Sequence, residues 1–469
     1  MVWKMLTEIE KNKLFENKTR IFFLGIGGVS MSSIALAFRR KGHFVSGYDS
    51  TPSDTTRMLE ENGVHVSYSF CREDYKGIDV VIYTNAIQPT DPVFFYPQSL
   101  GITMISRAKA LGYLMKSYRH AIGVAGTHGK STTTGMLSYI FISQDRDPTV
   151  FAGAHLPILG GNYCVGQGND FIFEACEYQD SFLHFFPTVA VVLNVGFDHA
   201  DYFTDLNDVV SSFQQYLFLV QGDGTAIVNL DDAGAMASAH GYTGKLVTFS
   251  QKDPSATVYA KHVHAHKGFY CFDVMYRGKC FASVELGVPG AFNVSNALAA
   301  IAAAIELGVS PEAVVNGLKA FHGVRRRFEV RGKLGDAVVI DDYAHHPDEI
   351  RATLQVAAAM ELEPVTVVFQ SHTYTRTRAL MDEITLAFEQ GCEQVIYTDI
   401  YAAREAPIPG VDGRTLAKRT QNGIYLGEDS KVVEYVRRTK KLHQGAIIVM
   451  GAGDVVNLTP QILEDPHAH

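Results

Sequence analysis

The 469 residues contain a single tryptophan and only six cysteines, at Cys71, Cys164, Cys176, Cys271, Cys280 and Cys392, with no C-x-x-C spacing. Scattered thiols of this kind suit a reducing cytosol, exclude a disulfide framework and give no zinc signal. Positive charge is also in deficit. Forty-one Lys and Arg stand against 50 Asp and Glu, a net charge of −9 without basic clusters, which argues against a nucleic-acid or polybasic membrane surface. Long hydrophobic runs are missing too. The longest apolar segment, residues 297–305, is alanine-rich and shorter than the ~20 residues a membrane span needs, so it reads as a core helix. No signal-peptide h-region opens the chain, and the expected location is cytoplasmic. Repeats and low-complexity tracts are absent. What is present is enough apolar content, 46%, for full cores, and enough length for about three domains at roughly 150 residues each.

The most informative stretch is Ala125-Gly126-Thr127-His128-Gly129-Lys130-Ser131-Thr132-Thr133-Thr134. It follows an apolar strand pattern over residues 120–124 and leads into a helical pattern over 132–142. Glycines let backbone N–H groups approach phosphates, a helix start adds partial positive charge, and a lysine reaches the β/γ oxygens of a nucleoside triphosphate. Ser131 is the hydroxyl placed for Mg²⁺. The motif is the shorter G-x-x-G-K-S, because the first glycine of the full Walker pattern falls on Val124.

Strands alternating with helices predict three α/β units with parallel, doubly wound sheets, at residues 1–117, 118–325 and 326–469. The first opens with strand 20–24, the turn Gly25-Ile26-Gly27-Gly28-Val29-Ser30 and a helix to about residue 40, followed by strand 44–48 and Asp49. This G-x-G-x-x-[GS] turn, with a carboxylate about 20 positions on, is the arrangement that holds a pyrophosphate at a helix N-terminus. The second unit holds the phosphate loop, strands 171–174 and 188–194, an alternating stretch over 258–288 that reads as antiparallel ribbon, and helices 293–307 and 311–321. The third runs strand 338–341, helix 348–360, strand 365–370, helix 375–390, strand 394–398 and strand 446–450.

Ligand crevices in open parallel sheets lie outside the carboxyl ends of the strands. Glu174 ends one strand and His199 follows the next, so both should meet near Lys130 and Ser131. A carboxylate and an imidazole there form a candidate Mg²⁺ pair with Ser131, although Mg²⁺ prefers oxygen. The alternative is a strand-end carboxylate and a hydrogen-bonded histidine without metal. In the third unit, Asp341-Asp342-Tyr343-Ala344-His345-His346-Pro347 ends an apolar strand. Tandem Asp and tandem His are costly to hold together unless something charged binds. Ser371-His372-Thr373-Tyr374-Thr375-Arg376 repeats that placement one strand later.

GTHGKSTTT, the Glu174 turn, NVGFDHADYF, PGAFNVSNALAAI, GVRRRFE, DDYAHHPDEI and SHTYTRT occur in the order seen in Mur ligases, and the chain resembles that family over essentially its whole length. The resemblance implies an N-terminal Rossmann-like domain for a UDP-sugar, a central P-loop-type ATPase and a Rossmann-like C-terminal domain that closes over the site. It implies the ATP-dependent joining of L-alanine to the carboxylate of UDP-N-acetylmuramate through an acyl phosphate, in peptidoglycan precursor synthesis. ATP and Mg²⁺ are the implied cofactors, with Mn²⁺ as a substitute. The partners are then small molecules, with no nucleic acid or membrane, and monomer and weak homodimer stay open. Residues 126–132 (Gly126, Thr127, His128, Gly129, Lys130, Ser131, Thr132) with Asn293, Asn296, Arg326 and Asp342 match the ATP pocket. Lys130, Glu174, His199 and Arg326 take the catalytic roles. Gly25, Gly27, Gly28, Ser30, Asp49, Thr84, Asn85 and Arg107 match the UDP-sugar site, so the glycine turn does not imply a nicotinamide cofactor. Tyr343, His345 and Arg376 match positions near the incoming amino acid and the muramyl carboxylate. Two departures stand out: Glu177-Tyr178 where many relatives have Asp-Glu-Ser-Asp, and Thr373 where many have Arg. A sibling ligase that attaches a whole tripeptide is the main alternative, and SHTYTRT favours the single amino acid. A nicotinamide oxidoreductase would leave GTHGKSTTT unexplained, and a P-loop switch protein would need a guanine-reading N-K-x-D that is missing near the strand ends.

Overall fold

The structure, a computed structural model, describes residues 14–84, 86–199, 202–389, 391–403 and 405–464. It is a three-domain α/β fold built on one sheet per domain. The first sheet has five parallel strands in the order His65–Ser67, Phe44–Tyr48, Arg20–Leu24, Val80–Tyr83, Thr103–Ser106. Apolar runs such as Ile21, Phe22, Phe23 and Leu24 are buried on both faces, as a helix-covered parallel sheet requires. Helix Val29–Arg40 follows the glycine turn and lays Ile34, Ala35, Ala37 and Phe38 onto that sheet.

The central sheet has ten strands. His120–Ala125 lies at its centre between Asp170–Glu174 and Val189–Val192, parallel to both. Thr225–Asn229 and Lys245–Ser250 continue the parallel run on one side, and Thr149–Leu156 lies on the other with antiparallel Gly161–Cys164 at the edge. The expected ribbon is formed by Val258–His266, Phe269–Tyr276 and Lys279–Pro289. Its two-residue turns, Lys267-Gly268 and Arg277-Gly278, have φ of 46°, 78°, 47° and 76°. Positive φ at both turn positions is the geometry that matches hairpin twist and makes the strands antiparallel.

The third sheet runs Glu329–Leu334, Ala337–Asp342, Ala446–Met450, Val365–Phe369, Gln394–Thr398, Gly423–Gly427. All neighbours are parallel except the first pair. The edge strand Glu329–Leu334 and Gly423–Gly427 carry too little apolar alternation to stand out in the sequence. The helix expected over 375–390 is interrupted: Tyr374–Ala379 stops at Leu380, and Met381–Glu389 starts afresh. By spatial contacts the chain divides into two compact units. One comprises residues 1–260, 274–282 and 295–317, the other 261–273, 283–294 and 318–469.

The helix after the phosphate loop, Lys130–Ser143, is almost wholly buried. Gly317 lets helix Pro311–Ala320 press against it, since a Cβ there would lie 2.6 Å from the Ile140 Cα. Backbone cannot yield cheaply. Gly317→Ala is therefore expected to destabilise the protein by about 1–3 kcal/mol, the usual cost of overpacking, read as a lower denaturant midpoint. An unchanged midpoint would show that the contact relaxes freely.

Candidate active site

Sequence-predicted residues gather at the carboxyl ends of all three sheets. In the first domain Gly25 has φ 77° and packs against Thr84, whose Cγ2 would lie 2.9 Å from any added Cβ. Asp49 accepts a hydrogen bond from the Gly27 N–H at 2.8 Å and from the Thr51 N–H at 3.3 Å. The carboxylate matched to the UDP-sugar site thus also secures the glycine turn. Gly28 caps helix Val29–Arg40, Ser30 lies in its first turn, and Arg107 opens helix Arg107–Met115 after the last strand. Asn85 lies outside the described residues.

The phosphate loop is built from backbone economy. Gly129 adopts φ 87° as the cap of helix Lys130–Ser143, and a side chain there would meet the Asn296 carboxamide at 2.5 Å. Asn296 is thereby brought against the loop, while Asn293 donates to the Pro289 carbonyl at 2.7 Å. Asn194 pins the loop from the next strand, accepting from the His128 N–H at 2.8 Å and donating to the His128 carbonyl at 3.0 Å. The Thr127 hydroxyl accepts from the Gly196 N–H at 2.9 Å. Ser131 and Thr132 stand half-buried in the first turn of the helix.

Lys130 folds back over this loop. Its Nζ lies 2.5 Å from the Gly126 carbonyl and 3.2 Å from that of Thr127. The charge partner is Glu177, whose oxygens sit 2.9 and 3.1 Å from Nζ. Burial works against the ammonium, but Glu177 outweighs it and leaves the Lys130 pKa above the ordinary lysine value. His199, in left-handed backbone with φ 55°, faces the same carboxylate, its Nε2 3.8 Å from Glu177 Oε1. Glu174 accepts from the Gly153 N–H at 2.5 Å, and its charge also acts on Lys130. Glu177 was not among the residues marked by strand-end position. The chain passes from Glu177 into Gln179 and Asp180, with φ of 52° and 51°, and this reversal directs Glu177 inward.

In the third domain Tyr343 lies between two guanidinium groups, Arg326 at 4.8 Å and Arg327 at 5.3 Å from the ring centroid. Arg326 donates to the carbonyls of Gly451 and Gly453 at 2.6 and 2.9 Å, while its Nε is buried without a hydrogen-bond partner. Asp342 accepts from the Phe328 and Ala344 N–H groups at 2.9 and 2.8 Å, and burial pushes its carboxyl up to about 6. His345 Nδ1 faces the Tyr343 carbonyl at 3.0 Å, and burial, reinforced by the Arg376 charge, pulls its pKa down to about 4 despite Glu349. His345 is therefore a neutral imidazole. His372, in the polar turn after the next strand, lies 5.9 Å from the His345 ring and stacks on Tyr401 at 5.6 Å.

The Mur ligase family catalytic domain matches residues 20–119, the Mur ligase middle domain 124–304, and the Mur ligase glutamate ligase domain 326–462. A UDP-N-acetylmuramate–L-alanine ligase of Acetivibrio thermocellus is 38% identical over 467 residues, 98% of each chain. The enzyme of the same name from Caldicellulosiruptor saccharolyticus is 39% identical over 451 residues, 95% of this chain and 98% of the relative. The chain belongs to the Mur ligase family. Among solved structures, the UDP-N-acetylmuramate-alanine ligase of Thermotoga maritima superposes with a TM-score of 0.75 at 26% identity, covering 95% of this chain and 98% of that one. A murein peptide ligase from Psychrobacter arcticus shares the fold at a TM-score of 0.64 and 24% identity.

Mur-family chemistry calls for ATP with Mg²⁺, and the donors beside the loop suit that ion. Glu174, Glu177 and the Ser131 hydroxyl offer oxygen, with His199 as the one nitrogen. Among the described residues no group of three or more carboxylate, histidine or cysteine side chains is already set to enclose an ion. A metal would therefore be held jointly with the phosphates it accompanies.

Two predictions follow from these charges. Glu177→Gln leaves a shielded ammonium without its counter-charge, so the empty protein should lose up to about 3 kcal/mol. ADP should then raise its melting temperature more than that of the unaltered protein, because the phosphates become the replacement anion. An equal or smaller shift would remove Glu177 as the resting partner of Lys130. For His345, the unfolded chain takes up a proton below pH 6.5 that the folded chain refuses until about pH 4. His345 thus costs stability progressively as pH falls through that window, on the order of 2 kcal/mol between pH 7 and 5. Asp342 acts in the opposite sense, so thermal melts of His345→Gln should show a smaller loss from pH 7 to 5. An identical loss would mean that His345 is protonated in the folded state.

Proposed function

We propose that this Mur-family chain joins L-alanine to the lactyl carboxylate of UDP-N-acetylmuramate, converting ATP to ADP and phosphate. The observation that carries the reading is the Lys130 loop, a buried ammonium at a helix start whose resting anion is a side chain that phosphates can replace, in a chain nearly coextensive with ligases of that name. A carboxylate cannot be attacked by an amine directly, because oxide would have to leave. A muramyl carboxylate oxygen attacks the γ-phosphorus of ATP, ADP departs and an acyl phosphate forms. The alanine nitrogen, having shed its ammonium proton, then attacks the acyl carbon, the bond to the phosphate oxygen breaks, and the nitrogen gives up a second proton.

Such steps need positioning and charge neutralisation more than covalent help. Residues 126–132 present backbone N–H groups and Lys130 to the phosphates, with Asn293 and Asn296 at the nucleotide. Glu174, Glu177, His199 and Ser131 would hold Mg²⁺, which when bound would supply positive charge to neutralise the phosphates. Gly25, Gly27, Gly28, Ser30, Asp49, Thr84 and Arg107 take the UDP-sugar. Arg326 and Asp342 reach the nucleotide as the third domain closes, and Tyr343, His345 and Arg376 receive the amino acid and muramyl carboxylate. The neutral state of His345 favours this, since it lets an ammonium-bearing amino acid approach without like-charge repulsion. The domain limits near residues 117 and 325 belong to this reading.

Lys130→Ala should cut turnover at least ~10²-fold with the fold intact, the usual cost of deleting one preorganised charge at a developing oxyanion. Near-normal ADP release from that variant would sink the assignment. ADP release dependent on UDP-N-acetylmuramate, compared across single amino acids and an L-alanyl tripeptide, identifies the amine. Preference for the tripeptide would make the chain a recycling ligase instead.

A further inference from the structure

Thr373 occupies backbone that threonine ordinarily avoids. Its φ of 61° with ψ of 148° lies at the edge of a region used essentially by glycine, and the branched Cβ makes the conformation costlier. Something must hold it, and three contacts do. The Thr373 N–H donates to the Tyr401 carbonyl at 2.9 Å, and its own carbonyl accepts from the buried Thr377 hydroxyl at 2.6 Å. The third is Glu405. Its carboxylate accepts from the Thr375 N–H at 2.8 Å and the Thr375 hydroxyl at 2.5 Å, with further hydrogen bonds from the Tyr374 N–H and the Thr373 side chain.

Tyr401 extends the same clamp. It pairs with His372 as an isolated parallel bridge, donates its N–H to the Ser371 carbonyl at 2.9 Å, and stacks on the His372 ring. On its other side it lies so close to Gly453 that a Cβ there would be 2.6 Å from the Tyr401 ring. The Gly453 carbonyl in turn holds Arg326. Tyr401 and Glu405 therefore tie the His372–Arg376 turn to the Arg326 cluster. The Arg376 charge acts on both His345 and His372, lowering the pKa of each after burial.

We propose that Glu405 is a positioning residue for the amino-acid site: by satisfying the donors of residues 373–375 it holds the strained Thr373 turn, and with it Arg376 and His372, in the geometry that receives the amino acid. This rests on the reading of Arg376 as a carboxylate-binding residue. It makes Glu405 a determinant of amino-acid affinity, without part in nucleotide binding.

The test is steady-state kinetics with each substrate varied in turn, on folded variants checked by circular dichroism. Glu405→Ala should raise the KM for alanine at least tenfold, leave that for ATP within twofold, and change kcat at saturating alanine less than threefold. Glu405→Gln, which keeps an acceptor oxygen, should show a smaller rise and carries the test if the alanine variant misfolds. Glycine adopts the Thr373 backbone without strain, so Thr373→Gly in the Glu405→Ala background should recover most of the lost affinity. That rescue is not expected of a merely destabilising change. An unchanged alanine KM in Glu405→Ala, or equal rises for all three substrates, overturns the proposal. Arg376→Ala separates the two claims. If it leaves the alanine KM unchanged while Glu405→Ala raises it, the assignment of Arg376 falls and the role of Glu405 stands.

Discussion

A lysine at the first position of a helix, shielded from water, is the constraint around which the central domain is arranged. Helix starts already carry partial positive charge, so the Lys130 ammonium is opposed by the macrodipole as well as by desolvation. It persists because Glu177 lies against it and the Gly126 and Thr127 carbonyls turn toward it. The chain reversal at Gln179 and Asp180 brings Glu177 to that position, and His199 sits within reach of the same carboxylate. A site so biased toward a nearby anion is one that a polyphosphate can enter by exchange. The protein supplies the anion when the ligand is away.

Around that charge, space is made by deletion of side chains. Gly129 admits the Asn296 carboxamide, Gly153 admits the Glu174 carboxylate, and Gly317 admits a neighbouring helix onto the back of the phosphate-loop helix. Each glycine couples a loop residue to an element distant in sequence. The loop is rigid because its neighbours cannot be moved aside, which is what electrostatic preorganisation demands.

The third domain solves a different problem, holding several cations near one another. Arg326 and Arg327 lie on Tyr343, whose ring face offers negative potential, and Arg326 also spends two N–H groups on backbone carbonyls. Burial keeps His345 neutral, which removes one charge from the crowd. The result is a surface rich in donors that remains compatible with an incoming amino acid bearing its own positive charge.

Local patterning was enough to read the glycine turn at Gly25, the strand–turn–helix around Lys130 and the polar strand ends of the third domain. Each depends on neighbours in sequence: hydrophobic runs, glycines where φ is positive, and a lysine next to a helix start. The three-domain α/β class follows from the alternation of those runs, and the antiparallel ribbon from the alternating, turn-punctuated stretch over residues 258–288. Tertiary structure decided what periodicity cannot encode. Glu174 ends its strand and Glu177 follows three residues later, where no repeat tells which side chain faces Lys130, and the fold brings Glu177 to it. The fold also sets the Asp49 carboxylate against the Gly27 N–H. His372, Tyr401 and Glu405 became neighbours only because two loops end side by side on adjacent parallel strands. Their contacts join residues some 30 positions apart, and that separation is bridged by packing alone.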